Sequence, residues 1–322
     1  MRLKIETEIW PLKRAFVISR GAKTAAHVVA VSLEAGGVVG RAECVPYARY
    51  GETVAGVAAA IKAMRGDLAA GMTRAALQSA MPAGAARNAL DCVLWDVELK
   101  RARAQGRETE ALAPVTTAFT ISLGDPDDMA AQARASAHLP LLKVKLGGAG
   151  DEERIAAVRE AAPHARLIVD ANESWTAATV RPLSEACARA GVEAIEQPLP
   201  AGEDAALETG PRPALFCADE SLHDRRDLSR IAARYDAVNV KLDKTGGLTE
   251  ATALMAEAQA AGLRVMVGCM VGTSLAMAPA LRLAQTADWV DLDGPLWLAE
   301  DRRPGLEIEN GRIAPPPPDL WG

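Results

Sequence analysis

Charged residues that could do chemistry recur along the second half of the chain at a nearly constant interval. Lys145, Asp170, Glu196, Asp219 and Lys241 are separated by 25, 26, 23 and 22 residues, and each stands at or next to the end of a short β-forming apolar run. Such positions lie at the carboxyl ends of successive parallel strands, where barrel enzymes have their active sites. The order along the chain is one cation, three anions and one cation.

The three acidic residues of this series favour a metal site. Carboxylates on neighbouring strands would converge within a few ångströms, and like charges that close cannot all stay ionised unless a cation lies between them. Oxygen ligands without a nearby histidine or cysteine favour Mg²⁺, or Mn²⁺, over zinc. Each acidic residue alone could instead cap the following helix, but three in strict succession, flanked by lysines, favour the metal.

Lysines on both sides of the acidic series point to proton transfer. Lys143 and Lys145 are i and i+2 on one strand, so they share a face, and the charge of Lys143 would lower the pKa of Lys145. Lys241 comes about four strands later, across a barrel of eight. Two lysines on opposite faces of one carbon suit a two-base 1,1-proton transfer, as in racemisation or epimerisation. Taken alone, Lys143-Val144-Lys145 could equally be a solvated strand edge.

A second acidic pair follows the last predicted strand. Asp291 and Asp293 are also i and i+2, and no lysine stands beside them. Two free carboxylates at the rim would suit the ammonium group of a substrate. The alternative is an aspartate pair that caps a loop.

From about residue 115 onward, short strands alternate with alanine-rich helical patterns such as 151–161, 178–190, 226–233 and 249–260. Strands alternating with helices of this length predict a parallel sheet. Eight strands in about 180 residues suit a (β/α) barrel better than an open sheet with exposed edges. The predicted strands are Thr116–Ser122, Leu141–Lys145, Arg166–Asp170, Ala194–Glu196, Ala214–Asp219, Ala237–Lys241, Val265–Gly268 and Trp289–Asp291.

The first third of the chain predicts a different unit. Apolar Leu3, Ile5 and Ile9 alternate with charged residues, as in a strand with one wet face, and Gly36-Gly37 marks a hairpin between two apolar runs. Strands followed by helices predict an α+β unit of about 110 residues. The proline-rich tail 313–322 is predicted to be an extended strap. The predicted helices are 53–66, 73–78 and 83–103.

Composition narrows the class of protein. The chain has 322 residues, 49% of them hydrophobic, and a net charge of −6, which disfavours a nucleic-acid partner. No apolar run reaches the ~18 residues of a membrane span, and the charged N-terminus is unlike a signal peptide. Five single cysteines without a CxxC pair fit a reducing compartment. We therefore expect a cytoplasmic protein; the sequence leaves its oligomeric state open, and a homo-oligomer is compatible with it.

Several strings carry a resemblance to a known family: KVK (143–145), DAN (170–172), EQP (196–198), DES (219–221) and KLDKTGG (241–247). Together they resemble the muconate-lactonising subgroup of the enolase superfamily. The Asp291-Leu292-Asp293 pair narrows the resemblance to the dipeptide epimerases, and longer strings such as IVDANESW (168–175) and DLDGPLWLA (291–299) look like the L-Ala-D/L-Glu epimerases.

The resemblance runs from Trp10-Pro11 to Asp301 and implies a fold. The expected class is α/β, a (β/α)7β modified TIM barrel with an N-terminal α+β capping domain. The capping domain would span residues 1–112 with a C-terminal strap over 299–322, and the catalytic barrel would span 113–298.

The resemblance also implies roles. Asp170, Glu196 and Asp219 would bind Mg²⁺, which would hold the substrate carboxylate and stabilise the enediolate formed when the α-proton leaves. Lys145 and Lys241 would be the acid/base pair, and which lysine serves which epimer stays open.

The remaining implied roles concern substrate binding. Lys143 would orient the carboxylate, and Asp291 with Asp293 would bind the N-terminal ammonium group of a dipeptide. Two loops of the cap, about 16–24 and 45–53, would lie over the substrate. The side-chain carboxylate of a C-terminal glutamate needs a cation, and Arg20 and Lys23 are the candidates. Several relatives have arginine where Lys23 stands; lysine keeps the charge but lacks the bidentate fork.

The predicted function is a Mg²⁺-dependent dipeptide epimerase that interconverts L-Ala-L-Glu and L-Ala-D-Glu in the recycling of cell-wall (murein) peptides. Within the fold, the alternatives are an epimerase of other L-Ala-L-Xaa dipeptides, or a cycloisomerase or dehydratase. Outside that reaction class, the alternatives are a non-catalytic barrel that binds metal and small peptides, and a metal-dependent aldolase. The aldolase gives no reason for lysines on both sides of the acidic series.

Overall fold

The computed structural model describes residues 1–107, 110–208 and 212–322. The chain begins with a three-stranded antiparallel sheet, in which Gly36 and Gly37 turn the second strand into the third with φ of +60° and +82°. These left-handed angles are those of a two-residue hairpin, so the predicted hairpin is confirmed. The strands are β1 (Arg2–Ile18), β2 (Gly21–Ala35) and β3 (Val38–Cys44).

Strand β1 departs from the predicted alternation. Ile9 is 64% exposed, while Glu8 and Trp10 are half-buried. The reason is Arg302, from the far end of the chain, which binds Glu8 at 2.6 Å and lies 5.1 Å from the Trp10 ring centre. The predicted apolar face through Ile9 is therefore wrong, because contacts from a distant segment override the local pattern.

Helices follow this sheet as predicted. Thr53 and Thr73 cap two of them, accepting hydrogen bonds from backbone N–H groups three residues later. The longest helix packs directly on β3, since a Cβ at Gly40 would lie 2.6 Å from the Val93 carbonyl. The helices are α1 (Val54–Ala63), α2 (Arg65–Ala69), α3 (Arg74–Ala80) and α4 (Ala85–Ala104).

The second part of the chain forms an eight-stranded parallel sheet, β5 to β12, in chain order. The two outer strands meet where the Ala118 N–H donates to the Val290 carbonyl at 2.7 Å, which closes the sheet toward a barrel. The predicted barrel and N-terminal cap are thus confirmed. The strands are β4 (Val115–Thr116), β5 (Phe119–Ile121), β6 (Leu141–Lys145), β7 (Arg166–Asp170), β8 (Val192–Glu196), β9 (Leu215–Ala218), β10 (Ala237–Lys241), β11 (Arg264–Gly268), β12 (Trp289–Asp291), β13 (Ile308–Glu309) and β14 (Arg312–Ile313).

Helical segments connect these strands, and β4, β13 and β14 form a separate small antiparallel sheet. None of the described helices combines the length and apolar composition that a membrane crossing requires. The helices of this part are α5 (Pro126–Ala135), α6 (Asp151–Ala161), α7 (Val180–Arg189), α8 (Leu228–Arg234), α9 (Leu242–Thr245), α10 (Leu248–Ala260), α11 (Ser274–Met277), α12 (Leu281–Ala284) and α13 (Gly294–Trp297).

The barrel interior is filled by one buried side chain from each strand or its approach, and residues two positions later on a strand point to the same side. Leu141 and Ile168, for example, stand two residues before Lys143 and Asp170. This apolar floor thus supports the polar residues above it. Its members are Ala118, Leu141, Ile168, Ala194, Cys217, Ala237, Met266 and Trp289.

The C-terminal tail is extended over 314–317, as predicted, and then turns at 318–320, where the Leu320 N–H donates to the Pro317 carbonyl at 2.9 Å. It ends on the cap, where the Trp321 indole N–H donates to the Cys92 carbonyl at 3.2 Å and the Gly322 N–H donates to Asp96 at 2.7 Å. The last residues of the tail therefore contact helix α4 of the cap.

Candidate active site

The three predicted acidic residues lie at one rim of the barrel. Asp170 ends β7 and is paired in register with Glu196 at the end of β8, and Asp219 follows β9 directly. All three are at most 2% exposed. The parallel register therefore places the three carboxylates side by side at the mouth.

Two lysines approach these carboxylates from different strands. Lys145 Nζ lies 2.6 Å from Asp170 Oδ2, and Lys241 Nζ lies 2.7 Å from Asp219 Oδ2. Their strands, β6 and β10, are four places apart in the eight-stranded sheet. The two ammonium groups therefore enter the site from opposite sides of the barrel.

Lys143 lies between the acidic residues and Asp291. Its Nζ is 2.6 Å from Glu196 Oε2 and 2.6 Å from Asp291 Oδ2. Burial alone would lower the pKa of Lys143, but Asp291, Glu196 and Asp170 outweigh it and hold that pKa well above its usual value. Lys143 is therefore a fixed positive charge inside the rim.

The chemistry of the donor set fits a hard cation. Burial, and then the charge of Asp170, raises the pKa of Glu196, so this carboxylate is short of positive charge. Its Oε2 atom is buried and accepts no hydrogen bond from the part of the chain that the structure describes, although Lys143 Nζ is near. Among the described residues, the acidic side chains do not form a ready-made metal cage, because lysine nitrogens lie between them.

Asp291 and Asp293 both line the cavity, but their carboxylates have different hydrogen-bond partners. Asp293 Oδ2 accepts hydrogen bonds from the Thr120 N–H at 2.7 Å and from the Trp297 indole at 3.1 Å. Burial and then the charge of Asp291 raise the pKa of Asp293 to about 6. Asp291 Oδ1 is buried and has no hydrogen-bond partner among the described residues. Because Lys143 already binds Oδ2 of Asp291, Oδ1 is the oxygen of this aspartate that is left for a ligand.

Arg20 and Lys23 differ as well. Arg20 is engaged by Glu220 at 2.6 Å and by Glu173 at 3.1 Å. Lys23 lies 4.5 Å from the Tyr47 ring centre, and no carboxylate of the described residues forms an ion pair with it. Loss of water around the ammonium group, and then the charge of Arg20, lowers the pKa of Lys23. Of these two cap cations, Lys23 is therefore the one that is available to pair with a ligand carboxylate.

The cap covers the mouth, as predicted, but the predicted loop 16–24 is wrong in form. Phe16 pairs with Lys23 and Ile18 with Gly21, so this segment is a hairpin whose tip is Ser19-Arg20. Strands β1 and β2 stay paired up to this tip, because the residues on both sides of it belong to these two strands. Segment 45–53 contains a 3-10 turn, Ala48–Tyr50.

Cap and rim together enclose a cavity of about 460 Å³. Apolar and aromatic groups of the cap face charged groups of the rim across it. Its lining residues are Phe16, Ile18, Arg20, Gly21, Ala22, Lys23, Tyr47, Ala48, Arg49, Tyr50, Thr120, Lys143, Lys145, Asn172, Asp219, Glu220, Lys241, Cys269, Met270, Val271, Asp291 and Asp293.

Sequence reasoning assigned no role to two residues beneath the rim. Lys244 Nζ donates to the Asp219 carboxylate at 2.6 Å, and the Asn239 amide donates to Glu196 Oε1 at 2.8 Å. Asn239 stands two residues before Lys241 on β10, so strand alternation alone would have found it. Lys244 comes from the short helix α9, whose direction the strand period could not predict.

Fold and site define the class: a barrel enzyme with acids and lysines at the carboxyl ends of its strands. Residues 128–319 match the family model "Enolase C-terminal domain-like", and residues 1–106 match "Mandelate racemase / muconate lactonizing enzyme, N-terminal domain". The chain belongs to this family of the enolase superfamily, and it is an isomerase.

Individual relatives are similar over nearly the whole chain. The L-Ala-D/L-Glu epimerase of Escherichia coli (strain K12) is 48% identical, over 97% of this chain and 98% of its own. An N-acetyl-D-glutamate racemase of Pseudoalteromonas is 45% identical, over 88% and 91%. A crystal structure from Agrobacterium tumefaciens, with homology to dipeptide epimerases and with bound sodium and L-Ala-L-Glu, is 51% identical, covers 99% of both chains and has a TM-score of 0.96.

Proposed function

We propose that this protein is a Mg²⁺-dependent dipeptide epimerase that inverts the α-carbon of the C-terminal residue, interconverting L-Ala-L-Glu and L-Ala-D-Glu. The observation that carries the proposal is the pair of buried lysines, Lys145 and Lys241, on strands four places apart at the acidic rim. The L-Ala-D/L-Glu epimerase relative and the dipeptide-bound neighbour support the same substrate.

Asp170, Glu196 and Asp219 would hold the cation. When bound, Mg²⁺ would supply positive charge to the substrate carboxylate, where negative charge grows as the α-proton leaves. The three carboxylates are oxygen donors on adjacent strands, which is the ligand type that Mg²⁺ prefers. Lys244 and Asn239 hold two of these carboxylates in place through hydrogen bonds.

Lys145 and Lys241 would move the proton. One lysine, neutral at that moment, takes the α-proton from its face of the carbon, and the other delivers a proton to the opposite face. In the reverse direction the two exchange roles. Positioned acid–base groups contribute about 10²–10⁴ in rate, so fixed charges must supply much of the remainder. Lys143 is such a charge, and it would orient the carboxylate of the substrate.

Asp291 would bind the N-terminal ammonium group of the dipeptide. Its Oδ1 atom is buried and has no partner within residues 1–107, 110–208 and 212–322, and a buried acceptor left unpaired is costly. An N-acyl amino acid, the substrate type named for the Pseudoalteromonas relative, carries no ammonium group to satisfy it. Asp291 therefore favours a dipeptide over an N-acylglutamate.

Lys23 would receive the side-chain carboxylate of the C-terminal glutamate, since Arg20 is already paired with Glu220 and Glu173. Lysine gives a point charge instead of a fork. We therefore expect turnover of other L-Ala-L-Xaa dipeptides at reduced rates.

We also propose the domain bounds, the cellular compartment and the metabolic role of this protein. Residues 1–112 with strap 299–322 would form the cap, and residues 113–298 the catalytic barrel. All five cysteines are free thiols, which fits a reducing, cytoplasmic compartment. A dipeptide of alanine and glutamate suits the recycling of cell-wall peptides.

Deuterium uptake from D₂O tests this function. With Mg²⁺ present, L-Ala-L-Glu should gain one deuterium at the C-terminal α-carbon while its epimer accumulates, as followed by ¹H NMR and mass spectrometry. L-Ala-L-Gln and N-acetyl-L-glutamate serve as comparison substrates. Loss of water would indicate a dehydratase, cleavage of a carbon–carbon bond an aldolase, and binding without exchange a non-catalytic barrel. Faster exchange of N-acetyl-L-glutamate than of the dipeptide would overturn the substrate assignment.

A further inference from the structure

A two-residue turn at the barrel rim has an unusual backbone. Asn172 and Glu173 follow β7 after one residue, and their φ angles are +44° and +66°. Residues other than glycine rarely adopt this left-handed backbone conformation. Consecutive strained residues persist only where surrounding contacts hold them. Here the turn directs the Asn172 carbonyl and the Glu173 carboxylate toward the cap.

Both cap segments over the cavity converge on this turn. Arg20, at the hairpin tip, donates to the Asn172 carbonyl at 2.8 Å and to Glu173 Oε2 at 3.1 Å. Arg49, in the Ala48–Tyr50 turn, donates to both oxygens of Glu173 at 3.0 and 2.9 Å. One carboxylate therefore joins two cap segments that are separate in sequence.

Glu173 is also fixed from below. Its Oε1 accepts the Ala201 N–H at 2.8 Å, and its side chain is only 8% exposed, against 27% for Arg20 and 41% for Arg49. The carboxylate is thus the buried, fixed member of the cluster, and the two arginines that it holds are more exposed.

We propose that Glu173 is a positioning residue that sets the hairpin tip and the Ala48–Tyr50 turn over the substrate side chain. The inference rests on the proposed function in that these segments carry Lys23 and Tyr47 to the dipeptide. Glu173 stands among the cap contacts and is not one of the cavity-lining residues, so it acts through substrate capture and leaves the proton transfer unchanged.

The test is Glu173→Gln, which removes the charge and keeps the shape. We expect the KM for L-Ala-L-Glu to rise about tenfold, with kcat within about twofold, because a loss confined to binding changes KM alone. Trypsin should cut the substrate-free variant faster after Arg20, Lys23 or Arg49, since the cap segments are released.

The matched control is Glu193→Gln. Glu193 also forms a bidentate pair, with Arg166 at 2.7 and 2.7 Å, and it accepts one further N–H group, here the Trp289 indole at 2.8 Å. It stands near the start of β8, at the opposite end of the barrel from the rim. This control should change neither KM nor the trypsin pattern.

If the Glu173 variant folds poorly, Arg49→Met is a second test of the same role, because Arg49 lies at the surface. It should reproduce most of the rise in KM, and the double variant should lose no more than Glu173→Gln alone. A fall in kcat at unchanged KM, or cleavage no faster than in the control, would overturn the proposal. Faster cleavage in a protein that turns over no dipeptide would uphold the positioning role and refute the proposed function.

Discussion

Replacing Lys23 by methionine should remove most of the discrimination between a C-terminal glutamate and its neutral amide. The Lys23 ammonium group faces the cavity, and no carboxylate of the described residues forms an ion pair with it. Arg20, the other cation of the cap, is held by Glu220 and Glu173. Methionine keeps the length of the side chain and removes its charge.

The expected loss in kcat/KM depends on how far the contact with Lys23 is exposed to solvent. A hydrogen bond to a charged group contributes about 1.5–3 kcal/mol, which corresponds to about 10- to 150-fold in kcat/KM. Part of the Lys23 side chain is exposed at the cavity mouth although its ammonium group has lost some water, and solvent screening weakens such a contact. We therefore expect a loss near the lower limit, about tenfold, for L-Ala-L-Glu and little change for L-Ala-L-Gln.

The assay is the ratio of kcat/KM for L-Ala-L-Glu to that for L-Ala-L-Gln. Lys23→Arg should keep or raise this ratio, and Lys13→Met, which removes a charge from β1 outside the cavity, should leave it unchanged. The lowered pKa of Lys23 adds a pH signature. Because the ammonium form is lost above that pKa, the ratio should fall at a lower pH than an ordinary lysine would give.

An unchanged ratio in Lys23→Met would show that Lys23 does not bind the side-chain carboxylate. If the ratio instead collapsed in Arg20→Met alone, the substrate would have displaced Glu220 from Arg20. The engaged cation would then be the true recognition group.

Two further predictions concern the rim and the strap. Asp219→Asn and Glu196→Gln should each lower kcat by about 10²–10³, which is a larger loss than Lys23→Met should cause. Steady-state kinetics over a Mg²⁺ titration measures these losses. A loss in kcat no larger than that of Lys23→Met would contradict the metal site. Arg302→Met should lower the free energy of unfolding by about 3–5 kcal/mol, since it leaves Glu43 buried without its cation, and Glu43→Gln in the same chain should recover part of the loss. Burial already raises the pKa of Glu43, so the folded state binds the extra proton and urea unfolding should show a larger loss at pH 8 than at pH 5; a pH-independent loss would contradict this.

The sequence predicts those features of the site that follow from strand periodicity. The spacing from Lys145 to Lys241 reflects one strand and one helix per repeat, and parallel strands bring their carboxyl ends to one rim. Alternation within a strand places Lys143 with Lys145. These relations need no knowledge of the loops, so they can be derived before the structure, whereas Asp293 lies beyond the end of β12 and reaches the cavity from the start of α13.

Contacts between distant segments could not be derived in this way. The turn at Asn172-Glu173 depends on left-handed backbone angles, and the pairing of Arg20 with Glu220 depends on how the cap docks on the barrel. Residues as far apart in sequence as Glu8 and Arg302 decide which face of β1 is buried. Such contacts arise from tertiary packing, which overrides local patterns.

Proton exchange in single-lysine variants shows whether Lys145 and Lys241 serve opposite faces of one carbon. Each of Lys145→Ala and Lys241→Ala should lose epimerisation while it still exchanges the α-proton of one epimer with D₂O. We expect the two variants to retain exchange with different epimers, one with L-Ala-L-Glu and the other with L-Ala-D-Glu. Retention of the same epimer by both variants, or unchanged exchange of both epimers in Lys241→Ala, would contradict it.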